Sequence, residues 1–487
     1  MKTVLAFDLG ATSARGIVYS IKNNQLVEHA VYRFTGYQLI DQQTKEIRWN
    51  IDKIIQEIQR IIGIANTNYP IQSIGFDSWG CDFGLLNASG ELIQQPLCYQ
   101  TMMQEQNQHY GQDLPDYFRM RTGISNASIN TSSQLLYLKD HYPELLKEAE
   151  SLLMIPDLIH YLLVGAKLSE SSIASTSQLF DLKKQYWAVD LIEELGISPT
   201  LFSTIALPYT QIGMITVGEK NIPIHSVMSH DTASAIYALP TNETAHYFLS
   251  SGTWSILGQK TEPGLLLQHT LQETYSYEQS GDGKLLKLKN LLGMWFIEEA
   301  LQSINKKKSI SIEEIQQLLE NVSPVPFFFD SEDPQFLGKG TFLSSLKSYG
   351  NTCQFPSLDS AESLFLTIYQ NLACKYAQVF RSLMGKQTQP IFLFGGGSKS
   401  QFLTQLTADL THCPVTVCDS ESSALGNAFA QFFALKELRT REDLVKIITR
   451  YHPSKVYLPQ SNQAFEQLYQ QYQKFIESNY IKGGKNT

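Results

Sequence analysis

Two blocks of this chain, AFDLGATSARGIVY at 6–19 and HYFLSSGTWSILGQ at 246–259, share one plan: an apolar strand, a turn of small and hydroxylated residues, and an immediate return as a strand. Gly10 and Gly252 mark the turns and stand 252 − 10 = 242 positions apart, close to half of the 487 residues. A repeat on that scale predicts two similar halves, each opening on a β-hairpin, and excludes a short-period solenoid. The length alone exceeds what one core usually supports, so two domains are expected. Strands and helices alternate along each half, which predicts an α/β fold.

RWNIDKIIQEIQRIIGIA carries apolar residues at helical spacing. IQSIGFDSWGCDFGLLNASGELI alternates like paired strands around a turn at 87–90. SLLMIPDLIHYLLVG, 151–165, reads as a buried helix; Pro156, Asp157 and His160 interrupt it, and it is too short to span a bilayer. The first half closes on a helix starting near SHDTASAIYAL, and LPTNETA at 239–245 gathers the turn formers of a boundary. The expected domains are therefore residues 1–239 and 240–487. In the second, 361–384 reads as a long amphipathic helix, PIFLF as a strand broken by three glycines before another helix, PVTVC as a strand and SSALGNAFAQFFA as a helix. IKGGKNT has no apolar residue after Ile481 and reads as a frayed end.

Composition excludes several classes. A formal charge of −9 argues against nucleic acid or an anionic membrane as the main partner. MKTVLAFDLG lacks the apolar run of a secretory signal. Six cysteines, at 81, 98, 353, 374, 413 and 418, show no CxxC spacing, which fits reduced thiols in a cytoplasmic protein better than a zinc site or a disulfide framework.

Several residues are placed where chemistry could occur. The backbone of Ala11, Thr12, Ser13 and Ala14 either forms an anion-binding nest, with Arg15 adding a charged fork, or closes an ordinary hairpin. The second turn, through Ser250, Ser251, Gly252 and Thr253, favours a polyphosphate held from two sides. Asp8 ends an apolar strand, where it needs either a hydrated Mg2+ carried by a nucleotide or neighbouring turn N–H groups. FGGGSKS at 394–400 lets a base or phosphate lie on bare backbone, or is a structural turn; it is not GxGxxG. Asp231 in MSHDTAS is either a helix cap or a carboxylate kept ionised by the helix N-terminus and ready to accept a hydroxyl proton. His230 binds a polyol or completes the cap. Gly80, Cys81 and Asp82 after Trp79 suit a sugar, unless Trp79 is simply core. No basic partner near Cys81 in sequence makes it a nucleophile.

The ordered set DLGATSAR, IGFDSWGCDF, SHDTASA, LSSGTWS, LKNLLGMW, FGGGSKSQF and SSALGNA resembles the FGGY carbohydrate kinases, most closely their rhamnulokinase branch, from residue 4 to about 435. The resemblance implies two ribonuclease H-like domains of the actin and sugar-kinase superfamily with an ATP cleft between them, the N-terminal one binding sugar and the C-terminal one nucleotide. It implies a cytoplasmic enzyme, monomer or homodimer, that uses ATP and Mg2+ to phosphorylate a ketose, first of all L-rhamnulose to its 1-phosphate. ATP contacts are implied at Ala11, Thr12, Ser13, Ala14, Arg15, Thr253, Glu298 and Gly396. Sugar contacts are implied at Gly80, His230, Asp231, Thr232 and Asn290, with Asp231 as the base and Asp8 as the acid at the metal.

Two single positions and one run depart from the family pattern. Ala14 stands where Gly is common, and Glu298 where an ATP-contacting Gln is typical. The run Tyr-Arg-Asp-x-Arg-Thr is here Tyr99, Gln100, Thr101, Met102, Met103 and Gln104, which removes two arginines and an acid beside the expected sugar pocket. A kinase for another deoxyketose, a pentulose or a polyol is the alternative, as is a weakly catalytic sugar- or nucleotide-sensing protein. The retained Asp8, Asp231 and Thr253 favour the enzyme.

Overall fold

The computed structural model describes residues 2–263, 275–305, 310–320, 322–338, 340–419 and 421–483. Two compact units divide the chain. The first comprises Met1–Thr244, Lys260–Lys287 and Glu421–Pro453, and the second Ala245–Gln259, Leu288–Ser420 and Ser454–Thr487.

The first unit is built on a six-stranded sheet in the order Gln211–Val217, Lys220–His225, Ile71–Ser78, Thr3–Leu9, Ser13–Lys22, Gln25–Thr35. Thr3–Leu9 pairs antiparallel with its hairpin partner and parallel with Ile71–Ser78. All seven of its residues are buried, as expected of a central strand covered on both faces. The helix Ile51–Asn68 turns Ile51, Ile54, Ile58, Ile61, Ile62 and Ala65 inward and joins Leu5, Phe7 and Val18 in one core.

The helix Ser422–Ala434 packs on the same central strands. Buried Asn427 Nδ2 and Gln431 Nε2 donate to the carbonyls of Phe7 and Leu5, each at 3.1 Å. A Cβ on Gly426 would come 1.8 Å from the Ser234 carbonyl oxygen, so this helix and Asp231–Tyr237 approach backbone to backbone. The expected cut at 239/240 falls just before Thr244, yet the small-residue helix and Lys260–Lys287 return to the first unit. Local pattern made 422–434 a helix; the close contacts of its small residues decide which sheet it covers.

Two expectations of local structure change. Ser151–Met154 is a strand antiparallel to Phe83–Leu86, and only Ile155–Val164 is helical. Pro156 lies in the first turn of that helix, where its missing N–H costs nothing, so it starts the helix. The turn at 87–90 forms, with Gly90 at φ +82° and Asn87 N–H donating to the Glu91 carbonyl at 3.0 Å. Ile71–Ser78, however, pairs with Thr3–Leu9 and Lys220–His225 and not across that turn.

In the second unit the hairpin His246–Ser251 and Trp254–Thr261 recurs. Its first strand runs parallel to Ile391–Phe394, which runs parallel to Val415–Val417. Both sheets thus place a hairpin strand and a parallel strand on either side of the opening strand. The helices Ala361–Met384 and Gln401–Thr411 form as expected. The last helix runs from Gln463 to Gly483; the final four residues of the expected frayed end lie outside the described residues. No helix among the described residues is long and apolar enough to cross a membrane, and all six cysteines are free.

Candidate active site

In the first unit the C-terminal ends of parallel strands, where α/β sheets gather ligands, carry acids. Asp8 stands beside Asp77 in register. Ser78 bridges to His230, which brings Asp231 to the same end of the sheet. Asp77 is fully buried, and its carboxyl lies well above the usual range, because burial and the neighbouring Asp8 disfavour its charge. Asn427 Nδ2 donates to Asp77 Oδ2 at 2.7 Å, while Oδ1 has no hydrogen-bond partner.

Asp231 is the first residue of the helix Asp231–Tyr237 and is not its cap; His230 precedes the helix and makes no side-chain capping bond. The Asp231 side chain keeps 32% exposure and accepts from Thr232 Oγ1 at 3.1 Å. Burial raises its pKa, His230 opposes the rise, and Asp8 adds to it. The shift is upward, whereas the helix N-terminus by itself favours the ionised form. The result is a solvent-reaching carboxylate of increased basicity, suited to taking a hydroxyl proton.

Gly80 follows Trp79 at the same strand end. A Cβ there would sit 3.1 Å from Thr176, whose Oγ1 also receives Cys81 N–H at 3.0 Å. Cys81 has φ +71°, and burial pushes its thiol up, which argues against a thiolate nucleophile. Asp82 is 1% exposed, so it does not face a ligand. Its carboxyl oxygens accept from Trp49 Nε1 (2.6 Å), Trp79 Nε1 (3.0 Å), Tyr99 N–H (3.2 Å) and Gln134 Nε2 (2.8 Å). It pins an aromatic group in which the Trp49 and Trp79 rings lie 4.1 Å apart. Trp79 is accordingly core.

The first hairpin closes where Gly10 N–H donates to the Ser13 carbonyl at 3.1 Å, around Ala11 and Thr12. Ala14 is buried. Arg15 Nη2 lies 2.6 Å from Asp8 Oδ2, and Arg15 Nε lies 2.7 Å from Glu421 Oε2. Asp8 is thus satisfied by a guanidinium and not by turn N–H groups. No group of three or more His, Cys, Asp or Glu among the described residues is arranged to hold a metal ion. An ion that keeps its own waters needs few protein ligands. The strand-end Asp8, next to the unpartnered Asp77 Oδ1, fits one carried in with a nucleotide.

Residues 100–104 carry no charge, and Thr101 and Gln104 bond to backbone groups of the neighbouring strand segment. Thr101 Oγ1 bonds both the N–H (2.7 Å) and the carbonyl (3.0 Å) of Ile47, Met102 is buried, and Gln104 Nε2 donates to the Lys45 carbonyl at 2.9 Å. Tyr99, at the start of this run, is close enough to Asp231 to feel its charge.

In the second unit the hairpin turn is clamped to the start of the helix Trp295–Asn305: Gly293 N–H donates to the Thr253 carbonyl and Met294 N–H to the Gly252 carbonyl, both at 2.9 Å. Exposed Thr253 reaches Glu298, with Oγ1 donating to Oε1 at 3.4 Å. Burial raises the Glu298 carboxyl above its ordinary range. The three glycines differ. Gly395, at φ +87°, would place a Cβ 2.7 Å from the Ser251 carbonyl oxygen, and Gly397 would place one 2.0 Å from Ser251 Oγ. A Cβ on Gly396 meets nothing within 4 Å, so the middle glycine opens onto free space. Asn290 is exposed on the strand Leu285–Leu292 and belongs to this unit.

Sequence reasoning missed Asp77, Glu170 and Glu278. Asp77 could have been found by the strand-end logic applied to Asp8. Nothing local marks the other two.

A rhamnulokinase from Enterococcus faecalis is 32% identical to this chain over 496 residues, covering 98% of both. A gluconate kinase from Lactobacillus acidophilus shares the fold with a TM-score of 0.77 at 18% identity, over 100% of each chain. The Plasmodium falciparum glycerol kinase solved with ADP gives a TM-score of 0.79 at 14% identity, over 98% of each. These two similarities show the two-domain, mixed α/β sugar-kinase fold. Residues 3–236 match the N-terminal domain of the FGGY family of carbohydrate kinases, and residues 247–435 match its C-terminal domain. The chain belongs to the FGGY family of carbohydrate kinases.

Proposed function

We propose that this chain transfers the γ-phosphoryl group of ATP to a ketose hydroxyl, with O1 of L-rhamnulose as the first acceptor. The observation that carries the reaction is Asp231: a carboxylate of raised basicity, partly open to solvent and flanked by His230 and Thr232. The choice of acceptor rests on similarity to the Enterococcus faecalis rhamnulokinase along nearly the whole chain.

In this reading Asp231 takes the hydroxyl proton as the sugar oxygen attacks phosphorus in line. Gly80, His230, Thr232 and Asn290 contact the sugar. Ala11, Thr12, Ser13, Ala14 and Arg15 of the first hairpin and Thr253 of the second face the phosphates, and Gly396 lies under the nucleotide. Mg2+ carried with ATP, near Asp8, supplies charge neutralisation on the phosphates. Glu298 brings a carboxyl where the related kinases have an amide, which weakens affinity for a polyanion.

The neutral patch at 100–104 favours a second acceptor class: another deoxyketose, a pentulose or a polyol. An ATP-coupled assay on L-rhamnulose, L-fuculose, L-xylulose, L-ribulose and glycerol separates the two. L-rhamnulose with the highest kcat/KM supports the first acceptor, and another sugar ahead of it replaces that choice. No turnover of any sugar, with saturable MgATP binding by calorimetry, marks a sensing homologue and overturns the catalytic reading.

A further inference from the structure

Glu278 reaches His230 from the strand Ser276–Gln279, 278 − 230 = 48 positions along the chain. His230 Nδ1 and Glu278 Oε2 lie 3.0 Å apart. Both atoms are sealed from solvent and neither has a hydrogen-bond partner, so they meet as a close ion-pair contact. On the far side of the ring, Nε2 lies 3.5 Å from Asp231 Oδ1. The imidazole is therefore held between a buried carboxylate and the carboxylate that reaches solvent.

The backbone beneath this ring has its own clamp. His230 N–H donates to Ser172 Oγ at 3.2 Å, and Ser229 N–H to Glu170 Oε2 at 3.0 Å. Ser172 Oγ in turn donates to Glu170, which also accepts the N–H groups of Ser172 and Ile173. The loop needs nothing from Glu278 to hold its path. A second buried carboxylate here would be costly if it only filled space, and its single polar contact is the ring.

We propose that Glu278 is a positioning residue that fixes a proton on His230 Nδ1 and holds the ring as a two-donor imidazolium, so that Nε2–H is presented to a sugar oxygen beside Asp231. The inference rests on the reading of Asp231 as the site of the acceptor hydroxyl. A neutral ring with its proton on Nδ1 would offer Nε2 as an acceptor, and only the cation offers a donor on both sides. The charged groups facing the ring agree with the geometry. Burial lowers the basicity of His230, but Glu278, Asp231 on its own helix and Glu170 from the strand Ser169–Glu170 more than offset it, leaving a pKa of about 9. The cation also tempers Asp231, whose carboxyl Asp8 pushes the other way. The pair thus sets both a donor and a base at one strand end.

The test compares the wild type with Glu278→Gln, which keeps the size of the side chain and removes its charge. A charged hydrogen bond to substrate is worth roughly 10-fold or more in binding. The variant is expected to raise the sugar KM by at least about that factor at pH 8 and to recover most of it at pH 6, where solvent protonates the ring; kcat changes far less. An unchanged KM at pH 8 overturns the inference, since Gln would then serve as well. Carbon-13 NMR of labelled histidine in the wild type, with His230→Asn to assign the signal, decides the matter whether or not the variant folds or any ketose is turned over. A His230 signal that stays cationic through pH 8 supports the dyad, and one that titrates near the ordinary value of about 6.5 ends it. Failure of the kinase reading would appear separately, as absent sugar turnover alongside an unchanged titration.

Discussion

Arg15 and Asp8 sit directly opposite each other in the first hairpin, with Arg15 Nη2 2.6 Å from Asp8 Oδ2. The Asp8 side chain is 4% exposed and that of Arg15 23%. Asp8 raises the pKa of both Asp77 and Asp231, so the guanidinium is the counter-charge that makes a cluster of carboxylates tolerable at the strand ends. Removing it leaves a buried acid unpaired. Arg15→Met is expected to cost about 1–3 kcal/mol in urea unfolding, less than a fully buried pair because Arg15 is partly solvated. Adding Asp8→Asn should recover part of the loss, as a double-mutant cycle reads directly. A single variant as stable as the wild type would show that the pair contributes nothing.

Asp231→Asn keeps shape and hydrogen bonding but removes basicity. kcat is expected to fall roughly 10²- to 10⁴-fold with ATP KM nearly unchanged. Because Asp231 is not the helix cap, thermal unfolding should barely move, so lost activity cannot be ascribed to lost structure. In the wild type the acid limb of kcat/KM should lie above the ordinary aspartate value of about 4, since burial raises this carboxyl. Near-normal turnover of the variant removes Asp231 from the mechanism.

What was legible in the sequence is what is local. A strand, a small-residue turn and a returning strand read as a hairpin in both units, and the SHDTASA block located His230 and Asp231. Glu170 and Glu278 escaped because they reach the loop through pairing and packing far along the chain, from segments with no motif of their own. SSALGNAFAQFFA announced a helix with a small-residue face, but the backbone it would approach, at Ser234, was fixed only by the fold. Asp82 read as a ligand contact because its neighbours did. The indole N–H groups of Trp49 and Trp79, converging on it from different segments, make it a structural anchor instead.

That anchor carries a pH signature. Burial lifts the Asp82 pKa to about 7 against the four donors that lower it. The native state therefore holds a proton there that the unfolded chain, titrating near 4, has already lost. Stability from this group is full below about pH 4 and drains away as pH rises through 7. Asp82→Asn lacks the titration. The unfolding free energy of the variant minus that of the wild type should shift in favour of the variant, on the order of 1 kcal/mol, between pH 6 and 8. A difference that stays flat over that window would mean that Asp82 does not titrate between pH 6 and 8 in the native state.

The glycine turn separates two crowded positions from an open one within three residues. Gly395 has φ +87° and ψ 177°, a region essentially reserved for glycine, and an added Cβ would press on the Ser251 backbone. Gly397 is blocked by the Ser251 side chain. Gly395→Ala is therefore expected to lose several degrees of melting temperature, and Gly397→Ala somewhat less, because a hydroxyl can rotate away and a carbonyl cannot. Gly396→Ala meets no neighbouring atom and should melt within about 2 °C of the wild type. If the nucleotide lies on bare backbone at this turn, a methyl group at 396 stands between the two, and ATP KM should rise several-fold while sugar KM stays put. A Gly396→Ala enzyme with unaltered ATP KM would move the nucleotide away from this turn and leave Gly395 and Gly397 as packing positions against Ser251, with Gly396 merely open.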